Sequence, residues 1–249
     1  MERYFFLLVH NIILLLRSVF AFFINTEDCI ICGNKCFDVP ICNKCISSHF
    51  YLNNNLSDYC CICGKKLISE TETCIKCRVE KTVKNLDRTF SLFPYNLWNV
   101  EIMFRWKKKD ERVFSDFFAK LLAEKIYFLK KIYGDFVVVP VPPRNGKVKK
   151  IGWDQVDDLY KLLKYKYKIE SIKMLERKSS TEQKKLDRNH RLLQNQNSYI
   201  KRKNIQYIPK IVCLIDDVKT TGSTLDSCGS ILRSLGVEKV YALTIYNVR

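Results

Sequence analysis

From Tyr4 to Ile24 the chain is almost unbroken in apolar residues, and the rhythm then changes several times. Residues 26–78 show little helical periodicity and read as a segment that needs an added cross-link to be ordered. Residues 79–95 read as an exit strand, with Phe90, Leu92 and Phe93 before Pro94. Phe114, Phe118, Leu121, Leu122, Ile126 and Leu129 recur at helical spacing. The run Phe136-Val137-Val138-Val139 is a short strand stopped by Pro140, and Trp153 to Leu163 predicts a second helix. Residues 177–203 are polar and basic with no clear core face. Ile211 to Ile215 is an apolar run suited to a buried parallel strand. Leu225, Cys228, Leu232 and Leu235 then mark a helix that Gly236 ends, and Val240 to Tyr246 gives a last strand. Strands alternating with helices predict an α/β fold with a central parallel sheet flanked by helices. The expected division is a helix at 1–25, a cysteine-rich module at 26–78 and the α/β domain at 79–249.

On a helical wheel Arg3, His10, Asn11, Arg17, Ser18 and Asn25 share one narrow stripe, which leaves a wide apolar face. Such a helix either docks on its own protein or makes peripheral membrane contact through residues 4–24. A spanning helix is disfavoured, because a central Arg costs about 2.5–3.5 kcal/mol there.

Charge narrows the class of ligand. The 249 residues carry 43 Lys and Arg against 26 Asp and Glu, a formal charge of +17. Two zinc ions on four thiolates each would bring this to about +13. The chain stays basic, which favours a polyanion or a pyrophosphate ester as partner. A solvated Lys-rich surface is the plainer reading.

Ten of the twelve cysteines lie between Cys29 and Cys77. Eight form Cys-x-x-Cys pairs: Cys29/Cys32, Cys42/Cys45, Cys60/Cys63 and Cys74/Cys77. The two-residue gap lets both sulfurs reach one metal, and Gly33 and Gly64 let the chain turn after the second ligand. Two sequential four-cysteine zinc sites are the simplest assignment, with an interleaved pairing as the alternative. The zinc is structural, since no open coordination position is implied. Cys36, Cys61 and His49 are expected not to be ligands. A metal-ligand pattern in place of a disulfide framework points to a reducing cytoplasm.

The most informative stretch is Ile215-Asp216-Asp217-Val218-Lys219-Thr220-Thr221-Gly222-Ser223-Thr224. A hydrophobic strand delivers two acids at its C-terminal edge, where ligands sit in open parallel sheets. Hydroxyls, free N–H groups and a helix dipole then offer a phosphate site, while the paired carboxylates suit sugar hydroxyls. An ordinary polar turn with an N-cap is the plainer reading of a lone Asp-Asp.

The whole string resembles the phosphoribosyl-pyrophosphate (PRPP) signature of type I phosphoribosyltransferases. A second match, Val139-Pro140-Val141-Pro142 followed by Gly152-Trp153-Asp154-Gln155, resembles the ComF competence family. Ile151, Trp153 and Asp154 stand where that family has Arg, Phe and Asn. Residues 177–191, with Arg177, Thr181, Gln183, Leu186 and Arg191, resemble its mobile loop. The resemblance spans nearly the whole chain, including the first helix and a double zinc ribbon.

By this resemblance Asp216 and Asp217 are the catalytic pair that holds the ribose 2′- and 3′-hydroxyls. Lys219, Thr220, Thr221, Gly222, Ser223 and Thr224 bind the 5′-phosphate. Arg144, Lys149 and Lys150 form the pyrophosphate side, and Arg177, Gln183 and Arg191 belong to the mobile loop. The cofactors implied are structural zinc and, if the site is active, magnesium with PRPP. The family is linked to natural transformation, which implies single-stranded DNA and a DNA-translocation helicase as partners and a cytoplasmic location, at the inner face of the membrane if the first helix touches it. The alternative is an active phosphoribosyltransferase using PRPP and an unidentified acceptor. Basic runs at 105–109, 147–150 and 177–191, with Trp106, Trp153, Tyr165 and Tyr167 among lysines, are candidates for tracking a DNA backbone and stacking on bases; core aromatics beside a solvated basic face are the alternative.

Overall fold

The structure, a computed structural model, describes residues 2–24, 27–36, 39–81, 83–95, 98–109, 111–143, 152–178 and 198–248. Helix α1 (Glu2–Ile24) comes first, followed by the two-residue strands β1 (Glu27–Asp28) and β2 (Lys35–Cys36). Helix α2 (Asn43–His49), a 3-10 turn at Leu56–Asp58 and helix α3 (Ile75–Val79) complete the cysteine-rich part. Then come β3 (Arg88–Pro94), α4 (Trp98–Lys108), α5 (Val113–Tyr133), β4 (Val137–Pro140) and α6 (Gln155–Tyr165). The chain closes with β5 (Leu175–Arg177), β6 (Tyr199–Lys201), β7 (Ile211–Lys219), α7 (Ser223–Ser234) and β8 (Lys239–Asn247).

Four of these strands form one sheet in the order β3-β8-β7-β4, and every neighbouring pair is parallel. The strand period of two divides the core between its faces. Cys213 and Ile215 of β7, with Tyr241, Leu243 and Ile245 of β8, pack against α4, α5 and α6. Val212 and Leu214, with Val240 and Ala242, meet α7 and the β5–β6 pair on the other face. Burial on both sides explains why these strands read as continuous apolar runs. The architecture is α/β with helices flanking a parallel sheet, and it fits the type I phosphoribosyltransferase-like fold.

Three elements differ from the sequence reading. The second helix begins at Gln155 and not at Trp153, because Asp154 Oδ1 accepts the N–H groups of Val156 at 2.9 Å and Asp157 at 3.1 Å. Strand β7 runs on to Lys219, so the acidic pair lies within the strand. Residues 98–108 form a helix whose buried face is Asn99, Ile102, Met103 and Trp106.

Gly229 sits inside α7 where a segment of main chain crosses it. A Cβ there would lie 2.8 Å from Leu86 Cδ2 and 3.0 Å from the Asn85 carbonyl oxygen. Gly229→Ala gains about 1 kcal/mol in helix propensity. The overpacking costs about 1–3 kcal/mol. A net loss is expected, read as a lower urea midpoint; a rise would mean the 83–86 segment moves aside freely.

Candidate phosphate site and metal centres

Strand β4 stops at Pro140 opposite Ile215, and the Val141 N–H still reaches the Ile215 carbonyl at 3.0 Å. Among the described residues β7 continues beyond that point with a partner only in β8, where Asp216 stands beside Thr244. The acidic pair therefore stands at the C-terminal end of the sheet, the edge at which open parallel sheets bind their ligands. The Asp217 N–H donates to Asp216 Oδ1 at 2.9 Å, and Lys107 Nζ of α4 lies 2.6 Å from Asp217 Oδ2. Burial, then the neighbouring Asp217 carboxylate, pushes Asp216 up to about 8; Lys107 partly offsets this. Asp216 is thus held protonated near neutral pH, while Lys107 is ion-paired with the neighbouring Asp217.

The loop after β7 turns at Gly222, which has φ 86° in the left-handed region. A Cβ at Gly222 would come within 2.8 Å of Val83 Cγ1, so the turn requires glycine for space as well as for conformation. Thr220, Thr221 and Ser223 are exposed at the mouth of the loop. Thr221 Oγ1 and Ser223 Oγ are 3.0 Å apart, and Thr221 Oγ1 also accepts the Ser223 N–H at 3.3 Å. Exposed hydroxyls and the first N–H groups of α7 thus converge on one point, which is chemistry suited to a phosphate. Thr224 is drawn to the side, where it shares a hydrogen bond with Tyr199.

Lys219 departs from the expected phosphate contact. It is 2% exposed, and its Nζ donates to Asn247 Oδ1 at 3.3 Å, inside the protein. Asn247 Nδ2 in turn donates to the Cys63 carbonyl at 3.4 Å. The lysine thus ties the loop to the cysteine module. Arg177, at the end of β5, lies over the Tyr199 ring, 5.3 Å from its centroid, on the α7 side of the sheet. Arg144, Lys149, Lys150, Gln183 and Arg191 lie outside the described residues. Trp106 and Trp153 are 0% and 4% exposed, so they are core residues and cannot stack on a base. Trp106 Nε1 donates to Ser115 Oγ at 2.9 Å, and Trp153 lies beneath the Arg112 guanidinium. Tyr165 and Tyr167 are half-buried.

Sequence reasoning did not place two residues beside the acidic pair. Lys107 was visible only as part of a basic run, although the spacing of Asn99, Ile102, Met103 and Trp106 carries a helix that points it at Asp217. Asp154, besides capping α6, contributes a negative field at Asp216.

The cysteines gather as two sequential tetrads, Cys29/Cys32/Cys42/Cys45 and Cys60/Cys63/Cys74/Cys77. Within each, the four sulfurs lie within 4.8 Å of one another, a donor set and span that fit a four-coordinate thiophilic ion such as zinc. Burial pushes the Cys29 and Cys60 thiols up, but backbone N–H groups outweigh it and bring them down to about 6 and about 7. The Cys42 N–H reaches Cys29 Sγ at 3.4 Å. Cys36 and Cys61 stand outside both tetrads, as does His49, whose ring packs 4.6 Å from Trp98. No disulfide forms among the described cysteines. The second tetrad is buried throughout and lies at the edge of the sheet, where the Thr89 N–H donates to the Cys61 carbonyl at 3.2 Å.

No protein-family model matches the chain. The chain is similar to the competence protein ComFC of Streptococcus pneumoniae (strain ATCC BAA-255 / R6), with 26% identity over a stretch covering 87% of this chain and 98% of that protein.

Proposed function

Because this chain belongs to the ComF family, we propose that it is a competence protein of the DNA-uptake class whose Asp216–Thr224 loop binds PRPP or a related phosphorylated ligand. The observation that carries this reading is the C-terminal end of β7, past the last residue of β4. There a carboxylate pair and the exposed hydroxyls of Thr220, Thr221 and Ser223 flank one helix N-terminus. Carboxylates accept hydrogen bonds from a sugar diol, and the loop donates to its phosphate. Magnesium entering with PRPP would offset the pyrophosphate charge beside Asp216 and Asp217, and each cysteine tetrad would hold a zinc ion. On this reading the protein works in the cytoplasm on single-stranded DNA, alongside a translocating helicase. A DNA 5′-phosphate resembles the 5′-phosphate of the sugar ligand, so both can share the loop.

Calorimetric titration with PRPP and Mg²⁺, repeated after saturation with a short single strand, tests this. PRPP binding that DNA abolishes supports a shared site. Binding that DNA leaves unchanged separates the two and favours the enzyme reading, in which an acceptor displaces pyrophosphate from the sugar. No PRPP binding removes the ligand assignment. DNA affinity is expected to fall steeply between about 50 and 300 mM salt, and a flat response would count against a nucleic-acid role.

A further inference from the structure

Helix α1 leaves most of its apolar surface outside the protein. The side that meets the body carries Phe6, His10 and Leu14. His10 is 8% exposed, its Nε2 lies 3.3 Å from Asp116 Oδ1 of α5, and its ring stacks on Phe6. The opposite side is apolar and open. Tyr4, Phe5, Leu8, Val9, Ile12, Ile13, Leu15, Leu16 and Val19 are between 38% and 74% exposed. Their spacing places them on adjacent helical stripes, so the patch is continuous. A patch of this size marks an interaction surface.

We propose that α1 is an interfacial anchor whose outer face lies in the headgroup–acyl boundary of an anionic lipid bilayer. Among the described residues no helix is long and apolar enough to cross a membrane. Phe6, His10 and Leu14 hold α1 against the body, so it would offer a bilayer its side and not its end. Tyr4 and Phe5, the most exposed of the nine, are aromatic residues of the kind that favour this depth. Cations border the helix. Arg3 lies over Tyr4, Lys161 over Phe6 and Lys164 over Tyr165, and Lys168 donates to the Tyr165 carbonyl. Tyr165 itself packs against Phe6. A lipid surface bearing negative headgroups complements this border and the formal charge of +17. A second copy does not: a two-fold pairing through α1 would bring the same lysines against their counterparts.

The full chain is mixed with vesicles of three parts phosphatidylethanolamine to one part phosphatidylglycerol, or of phosphatidylcholine alone, and sedimented. Partition onto the anionic vesicles is expected to exceed that onto neutral ones at least tenfold and to weaken as salt rises. The triple variant Leu8→Gln, Ile12→Gln and Leu15→Gln changes only outward-facing residues, so the circular dichroism is expected to be retained and the partition lost. In Phe5→Trp, the added fluorescence is expected to shift to the blue and to be quenched by brominated lipid. Three results would overturn the proposal: full-length protein left in the supernatant, undiminished partition of the folded triple variant, or an unquenched Trp at position 5. A dimer that the triple variant splits, without vesicle binding, would assign the face to a second copy instead.

Discussion

Cys60→Ser is expected to release one metal ion per chain and to weaken ligand binding at the phosphate loop, although Cys60 lies in a different part of the molecule. The second tetrad is wired to that loop. The Cys63 carbonyl accepts from Asn247 Nδ2, whose Oδ1 accepts from the buried Lys219 ammonium, and Lys219 opens the loop. Gly64 presses on the neighbouring strand β3, where a Cβ would stand 3.0 Å from the Thr89 carbonyl oxygen. Losing one thiolate would free an ion bound by the tetrad and with it the hold on this corner of the sheet. Structural zinc supplies about 10–16 kcal/mol of apparent binding energy to small fingers, so the lost ordering is worth several kcal/mol. Cys29→Ser is also expected to release one ion, but its tetrad packs with Ile41 and Phe50 on the helical side of the core, where Phe50 meets Phe93 and Phe117. That variant is expected to lower the melting temperature and leave ligand affinity nearly unchanged. Metal analysis with calorimetry on the two variants separates the effects. Equal ligand affinity in both would mean that the chain of bonds through Asn247 carries no coupling.

Much of this arrangement was written in local pattern. Strands β7 and β8 are buried on both faces, so their apolar runs need no partner to be recognised. The four Cys-x-x-Cys pairs carry their ligand geometry in their spacing, which left sequential and interleaved pairing open; the structure gathers them sequentially. The acidic pair and the loop that follows were legible because strand, carboxylates, glycine turn and helix succeed one another without interruption. What could not be read was decided by residues far apart in the chain. A helical wheel gives α1 two faces but not which residues turn inward; Asp116, 106 residues after His10, draws that histidine in, while Arg3 and Asn11 of the same stripe stay exposed. Lys219 reads as a phosphate ligand by position, yet Asn247, 28 residues later, draws it inside. Asp154 reads as part of a ligand motif and serves as the N-cap of α6. The basic run 105–109 suggested a path for a DNA backbone. Once α4 forms, Trp106 turns into the core and Lys107 onto Asp217, so two of its members serve the interior and the acidic pair.

Asp216→Asn is expected to stabilise the protein at pH 8 while removing ligand binding. In the unfolded chain an aspartate ionises near its ordinary value of about 4. In the fold, burial and then Asp217 hold Asp216 protonated up to about 8. Between those values the folded chain binds one proton more than the unfolded chain, so this group makes stability fall as pH rises, and the loss levels off above 8. Asparagine keeps the shape without the ionisation. The gain is therefore largest at alkaline pH, on the order of a few kcal/mol, and vanishes below about pH 4. Ligand binding runs the other way. A ribose diol donates hydrogen bonds that a carboxylate accepts better than a carboxylic acid does, so PRPP–Mg²⁺ affinity is expected to rise by up to about tenfold per pH unit towards pH 8. Lys107→Met removes the cation that favours the ionised pair and is expected to move this rise to higher pH. Urea denaturation of the protein and of Asp216→Asn at pH 5, 7 and 8.5 measures the first effect, and calorimetry over the same range measures the second. Parallel stability curves for the two proteins would show that Asp216 is not the titrating group. A pH-independent ligand affinity would show that the acidic pair is not where the sugar hydroxyls sit.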